Sequence, residues 1–167
     1  MRAFVEKLGS YQIITNLFPG IFFGIGLKIF LEITLPVHGT CEEIVVYYFM
    51  GVVINRVSSL IIKPVLKRCK FITETNYAEY IKASKKDSKI DVLSEMNNYF
   101  RALLTSSLLL LAVQILRLSV CKIEWVYLNR KWLLMVLSSL LFLFAYKKQT
   151  KIICKRVKAI NELISEQ

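Results

Sequence analysis

The chain has 167 residues, a net charge of +11 and 55% hydrophobic residues, with a mean hydropathy of +0.49. A soluble domain scatters its apolar residues among polar ones at helical or strand spacing. Here they are gathered into blocks, which argues against a soluble globular class and predicts an all-α, polytopic membrane protein. Four runs carry that expectation: Leu17 to Val37, Ile44 to Ile62, Ala102 to Val120 and Trp132 to Tyr146. The first three match the roughly 20 residues needed to cross a hydrocarbon core as helix. The fourth has 15, and crosses only with little tilt, a thinned bilayer, or Lys131 and Lys147 snorkelling to the surfaces.

The opening stretch places Phe4, Val5, Leu8, Tyr11 and Ile14 on one face of a short helix suited to the inner membrane interface. Asn16 is then a plausible N-cap for the first span, with Pro19 in its first turn. This span contains Lys28 and Glu32 and ends "ITLPVHGT" without an Ala-x-Ala site, so it is expected to be a retained anchor rather than a signal peptide. Gly20, Gly24 and Gly26 superficially resemble a nucleotide-binding loop, but no strand precedes them. Small residues four apart in a membrane helix point to close helix packing.

The second span, "MGVVINRVSSLII" at its core, holds a permanent cation in an apolar run. An arginine at mid-membrane costs roughly 2.5 to 3.5 kcal/mol on insertion scales. Gly51, Asn55, Arg56, Ser58 and Ser59 share one broad sector of this helix. Such a sector faces protein or water: either a tightly packed interhelical contact or the wall of a pore, with Gly51, Asn55, Arg56 and Ser59 as pore or gating candidates. Arg56 stands six residues before Ile62, about 9 Å from the cytoplasmic end of the helix. Snorkelling reaches the headgroups from there. Glu32 lies too far toward the outer side to pair with it. Lys28, Glu32, Gln114 and Arg117 form a candidate outer polar cluster instead.

The connection of residues 63–101 is the one substantial soluble segment between spans, and carries nine Lys or Arg. Its second half places Ile90, Leu93, Met96 and Phe100 at helical spacing and runs without a breaker into the third span. Ile153, Val157, Ile160 and Ile164 form a matching stripe after the fourth span. Two of the four transmembrane helices are thus expected to extend as cytoplasmic helices that pack on each other or on neighbouring subunits. "YIKASKKDSK" concentrates Lys82, Lys85, Lys86 and Lys89. This cluster suits anionic lipid headgroups, a nucleotide messenger or an acidic partner. Thin aromatic interleaving gives no support to specific nucleic-acid reading.

Orientation follows from the basic residues, which stay cytoplasmic. Arg2 and Lys7 precede the first span, nine basic residues fill the middle connection and six follow Tyr146, whereas Glu42 and Glu43 mark the first outer loop. Both termini are expected in the cytoplasm of a bacterial inner-membrane protein. The expected organisation is 1–62, an interfacial helix and two spans; 63–101, the cytoplasmic connection; 102–146, two further spans; and 147–167, a cytoplasmic helix. Cys41 and Cys121 fall in the two outer loops, where they are either a disulfide or two unpaired thiols. The sole histidine, His38, has no metal-ligand set around it, and no nucleophile has a sequence-visible base. Neither an enzymatic activity nor a cofactor is expected.

Three stretches, "SYQIITNLFPGIFF", "YYFMGVVINRVSSLIIKPVLK" and "YIKASKKDSKIDVLSEMNNYFRALL", resemble a family of small four-span bacterial inner-membrane proteins similar to membrane effectors of anti-phage defence loci. Hailong-type and cyclic-nucleotide-signalling systems hold effectors of this kind. The resemblance spans roughly residues 10 to 105 and brings no catalytic motif. It implies a membrane homo-oligomer that opens a depolarising pore when a cytoplasmic partner or nucleotide messenger signals infection. The alternative is a membrane sensor or anchor that recruits a cytoplasmic defence protein, as in Kiwa-type pairs.

Overall fold

The structure is a computed structural model that describes residues 2–36, 39–120 and 125–165 in backbone, with side chains for residues 13, 15–36, 39–116 and 135–164. Among the described residues it is all-helical: five continuous rods and no strand. α1 spans Arg2–Leu31. α2 spans Thr40–Val57 and continues through a π-helical turn, Ser58–Ile62, into α3, Lys63–Arg68. α4 is the short helix Tyr77–Lys86, and α5 (Lys89–Val120) and α6 (Trp125–Ser165) are the long ones. At 1.5 Å per residue α5 is about 48 Å long, longer than a hydrocarbon core. α1 packs on α2 and α5, α5 on α6, and α4 on α6.

Two rods, Thr40–Arg68 and Lys89–Leu116, are long and apolar enough to cross a membrane. Thr15–Leu31 is a shorter apolar helix, and the run at 132–146 lies within α6, where side chains before 135 are outside the described residues. The Thr40–Arg68 rod turns much of its apolar surface outward, with Phe49 69% and Leu60 75% exposed. Apolar surface exposed to that extent suits lipid or a protein partner rather than water.

Three local features differ from the sequence reading. α1 is one helix that runs through Asn16 and Pro19 rather than an interfacial helix followed by a new N-cap. Pro19 donates no N–H to the ladder, and the Ser106 hydroxyl lies 3.1 Å from the Pro19 carbonyl. α1 stops at Leu31, short of Val37, with Glu32 in the left-handed region at φ 56° and the Ile33 N–H turned back to the Leu27 carbonyl. The second rod, in contrast, overruns Ile62. It ends in a Schellman turn: Lys70 at φ 54°, its N–H on the Lys67 carbonyl and the Phe71 N–H on the Leu66 carbonyl.

Residues 69–76 then fold back so that Ile72 is buried with Leu104 and Tyr146 beneath Phe71, Leu66 and Phe142. Lys63 and Lys67 clip this segment through Glu74, at 2.7 and 3.4 Å. At the basic end of the bundle, α5 and α6 pack Ile90, Leu93, Ile153, Val157 and Ile160 together, as their periodicity predicts. α4 adds Tyr80 and Ala83 to that core. Met96, grouped with the α5 stripe by spacing, instead is 43% exposed.

The α1–α2 crossing is the tightest contact. A Cβ at Gly51 would overlap the Asn16 carbonyl, and one at Gly20 would overlap the Tyr47 carbonyl. Gly24 lies against the Tyr47 ring and Gly26 against the end of the Leu110 side chain, while Gly39 faces open space. Gly→Ala substitutions should therefore grade. Gly51→Ala and Gly20→Ala should each cost about 3 kcal/mol because backbone has to move. Gly26→Ala should cost less, since Leu110 can swing aside, and Gly39→Ala should be neutral. Thermal unfolding of the purified variants in detergent checks the order; equal costs at Gly51 and Gly39 would refute the close crossing.

Candidate functional site

The α1–α2 crossing places polar side chains of three helices around one cavity of about 390 Å³. Tyr48, Val52, Asn55 and Arg56 of α2 and Ser59 of the π-helical turn that continues it line the cavity, successive steps of four, three, one and three residues that keep to one helical face. α1 supplies Thr15 and Asn16, and α5 supplies Asn98 and Arg101. Asn55 Nδ2 donates to Asn16 Oδ1 at 3.0 Å, so the polar contact sits one turn from the glycine contact and both draw α1 and α2 together.

Arg101 forms the floor. It is only 7% exposed, and its Nε donates to Ser58 Oγ at 2.9 Å. Ser58 is fully buried at the start of the π-helical turn, with its carbonyl accepting the Lys63 N–H. Arg56 is exposed at the rim. Among the described residues no Asp or Glu lines the cavity, and the carboxylate of Glu74 is held by Lys63 and Lys67. The described lining is two guanidinium groups with several amides and hydroxyls.

Of the residues singled out on α2 by sequence, Asn55, Arg56 and Ser59 meet at this cavity. Gly51 does not line it; it is buried against α1. Arg101, Asn98 and Asn16 were missing from that set. The polar series Asn97, Asn98, Arg101 and Thr105, at helical spacing into the third apolar run, was the available signal for the α5 contribution.

Of the expected outer cluster, Lys28 is exposed on α1 and Glu32 lies just past the end of that helix, with its backbone at φ 56°. Gln114 is 2% exposed, its Oε1 without a hydrogen-bond partner among the described residues. The Arg117 side chain is outside the described residues. So is Cys121, which leaves the predicted pairing with Cys41 undescribed; Cys41 itself is exposed. Lys82, Lys85, Lys86 and Lys89 are all exposed around the α4–α5 corner. The corner is fixed at Asp87, whose carboxylate pairs with Arg156 and accepts the Lys89 N–H at 3.0 Å. The Arg156 hydrogen bond is the main reason that the Asp87 carboxyl titrates below the usual range.

A second cavity, about 660 Å³, lies between residues 74–77, α3, α4, α5 and α6, with Lys63, Lys67, Glu74, Tyr80 and Asn97 among its walls. Its cations already have a counter-charge in Glu74. Among the described residues no group of three or more His, Cys, Asp or Glu could hold a metal ion. No protein-family model matches the chain, and neither a curated protein nor a solved structure does.

Burial pushes the Glu74 carboxyl up, but the bond and charge of Lys63, with Lys67 behind it, outweigh burial and hold it below its ordinary value. A carboxyl with a depressed folded pKa adds stability above its unfolded pKa, about 4.3, and loses it as pH falls through the folded value. The wild-type unfolding midpoint should therefore fall as pH drops below about 4.3. Glu74→Gln should flatten that part of the profile. An unchanged profile in the variant would remove the Glu74 clip as a contributor.

Proposed function

We propose that the chain is a homo-oligomeric effector of the bacterial inner membrane that opens a depolarising pathway on a cytoplasmic signal, in the manner of the anti-phage effectors its sequence resembles. In this reading four helices cross the membrane. Both termini, residues 63–101 and the α6 extension lie in the cytoplasm, as the distribution of Lys and Arg requires.

One observation carries the reading. Arg56 and Ser59 are exposed in the isolated chain on a rod otherwise apolar enough to cross a membrane. Lipid is a poor solvent for both, so the face needs water or a neighbouring subunit. Copies arranged with this face inward would line a pathway with Asn55, Arg56 and Ser59 at its inner third. The lysine corner of α4 and α5 would receive the signal, which makes a nucleotide messenger or an acidic cytoplasmic protein the partner class. No catalytic group is required.

The exposure of Lys82, Lys85, Lys86 and Lys89 on a fixed corner also favours a second reading, a membrane anchor that recruits a cytoplasmic defence protein. Co-purification separates the two: a partner held by wild type and lost on replacing the four lysines, without depolarisation, supports the anchor.

The effector reading is tested by induced expression with a membrane-potential dye. Wild type should depolarise cells, and Arg56→Leu should insert as well as wild type yet lose the depolarisation. Normal activity in Arg56→Leu would return Arg56 to a snorkelling anchor, and no depolarisation by wild type in any activating condition would overturn the effector.

A further inference from the structure

We propose that the cavity between α1, α2 and α5 is a phosphate-recognition site, with Arg101 as its buried anchor and Arg56 as the cation at its mouth. The starting point is an imbalance. Arg101 is 7% exposed and its Nε bonds a neutral hydroxyl, Ser58 Oγ. A buried cation is unfavourable unless it is paired, and among the described residues no carboxylate lines the cavity around it. Bringing a second guanidinium, Arg56, to the same cavity adds like-charge repulsion that an anion between them removes. Arg101 uses Nε for Ser58, which fixes the plane of its fork, and its guanidinium also interacts with the Tyr146 side chain, which leaves part of its Nη donors for an oxyanion. Planar forks of this kind bind phosphate oxygens in pairs.

The surroundings fit the same ligand. Asn16, Asn55, Tyr48 and Ser59 bring neutral amides and hydroxyls to the walls, groups suited to the remaining phosphate oxygens. The volume, about 390 Å³, lies within the span of about 300–1,000 Å³ found for small-ligand sites. The other basic features lack the imbalance. The larger cavity has Glu74 between Lys63 and Lys67, and the lysine corner is solvated surface. The chemistry is a phosphate group. Its source is either the headgroup of an anionic lipid or a soluble phosphate compound; only the lipid source rests on the membrane reading above, which puts Arg56 about 9 Å from the inner end of its span.

The full chain is placed in nanodiscs of phosphatidylcholine alone, of phosphatidylcholine with phosphatidylglycerol, and of phosphatidylcholine with added inorganic phosphate or ATP against a chloride control of equal ionic strength. Thermal unfolding and native mass spectrometry give stabilisation and retained lipid. A saturable gain with phosphatidylglycerol assigns the headgroup; a saturable gain with phosphate or ATP assigns a soluble compound. In either case Arg56→Gln, a change at an exposed position, should weaken the apparent affinity about tenfold. Arg101→Lys, which keeps the charge but loses the fork, should also weaken it. Lys151→Gln with Lys155→Gln, at exposed positions of α6 that do not line the cavity, should leave it unchanged. No saturable gain in any arm, or equal gains in wild type and Arg56→Gln, would overturn the site. Because depolarisation is not read, phosphate binding without depolarisation removes the effector and keeps the site, and the reverse result removes the site alone.

Discussion

The fold depends on the approach of α1 to α2. Two glycines on opposite helices, Gly20 and Gly51, each face a backbone carbonyl of the other helix, a distance only a residue without Cβ permits. In the proposed membrane setting no hydrophobic force drives helices together, so close van der Waals contact and interhelical hydrogen bonds would have to do it. The Asn16 to Asn55 bond supplies the second term one turn from the first. Once α1 and α2 are fixed, α5 fits beside them, with the Ser106 hydroxyl at the Pro19 carbonyl and Leu110 against Gly26.

The basic end of the molecule treats its cations in two ways. Lys63, Lys67 and Arg156 are matched by Glu74 and Asp87, and these pairs staple residues 69–76 and the α4–α5 corner onto the bundle. Exposed pairs of this kind are worth little individually; their role is geometric, holding short segments that carry little apolar surface of their own. Arg56 and Arg101 are treated differently. Among the described residues the cavity they meet is lined by no carboxylate. For Arg101, which is buried, that arrangement adds nothing to folding that an apolar residue would not supply better.

Much of this was legible in the sequence. Blocked hydropathy gives the helices of the middle of the chain, and the periodicity of Ile90, Leu93, Ile153, Val157 and Ile160 gives the α5–α6 extension. Glycine spacing gives the packing face of α1. What stayed hidden depends on partners distant in the chain. Asn16 has the local signature of an N-cap, but α1 continues through it because α2 offers Asn55 across the crossing. Arg101 sits at the edge of a basic connection and looks like one more cytoplasmic charge until Ser58, 43 residues away, accepts its Nε. Met96 keeps helical register yet turns outward, since a stripe names a face and not the width of the neighbour that covers it.

The π-helical turn at Ser58–Ile62 joins the crossing to the charged end. Pro64 has no N–H, and its ring presses on the carbonyl four residues earlier; widening the preceding turn, so that Lys63 N–H reaches back to Ser58 O, moves that carbonyl away. The extra residue rotates everything after it by about 100°, which sets the phase at which Lys63 and Lys67 meet Glu74. Ser58 stands at the pivot, its carbonyl in the widened turn and its hydroxyl on Arg101. Any ligand that pulls on Arg101 therefore pulls on the turn, and π-turns within helices are frequent at functional sites. The cavity and the Glu74 clip thus share Ser58 and the turn that it opens.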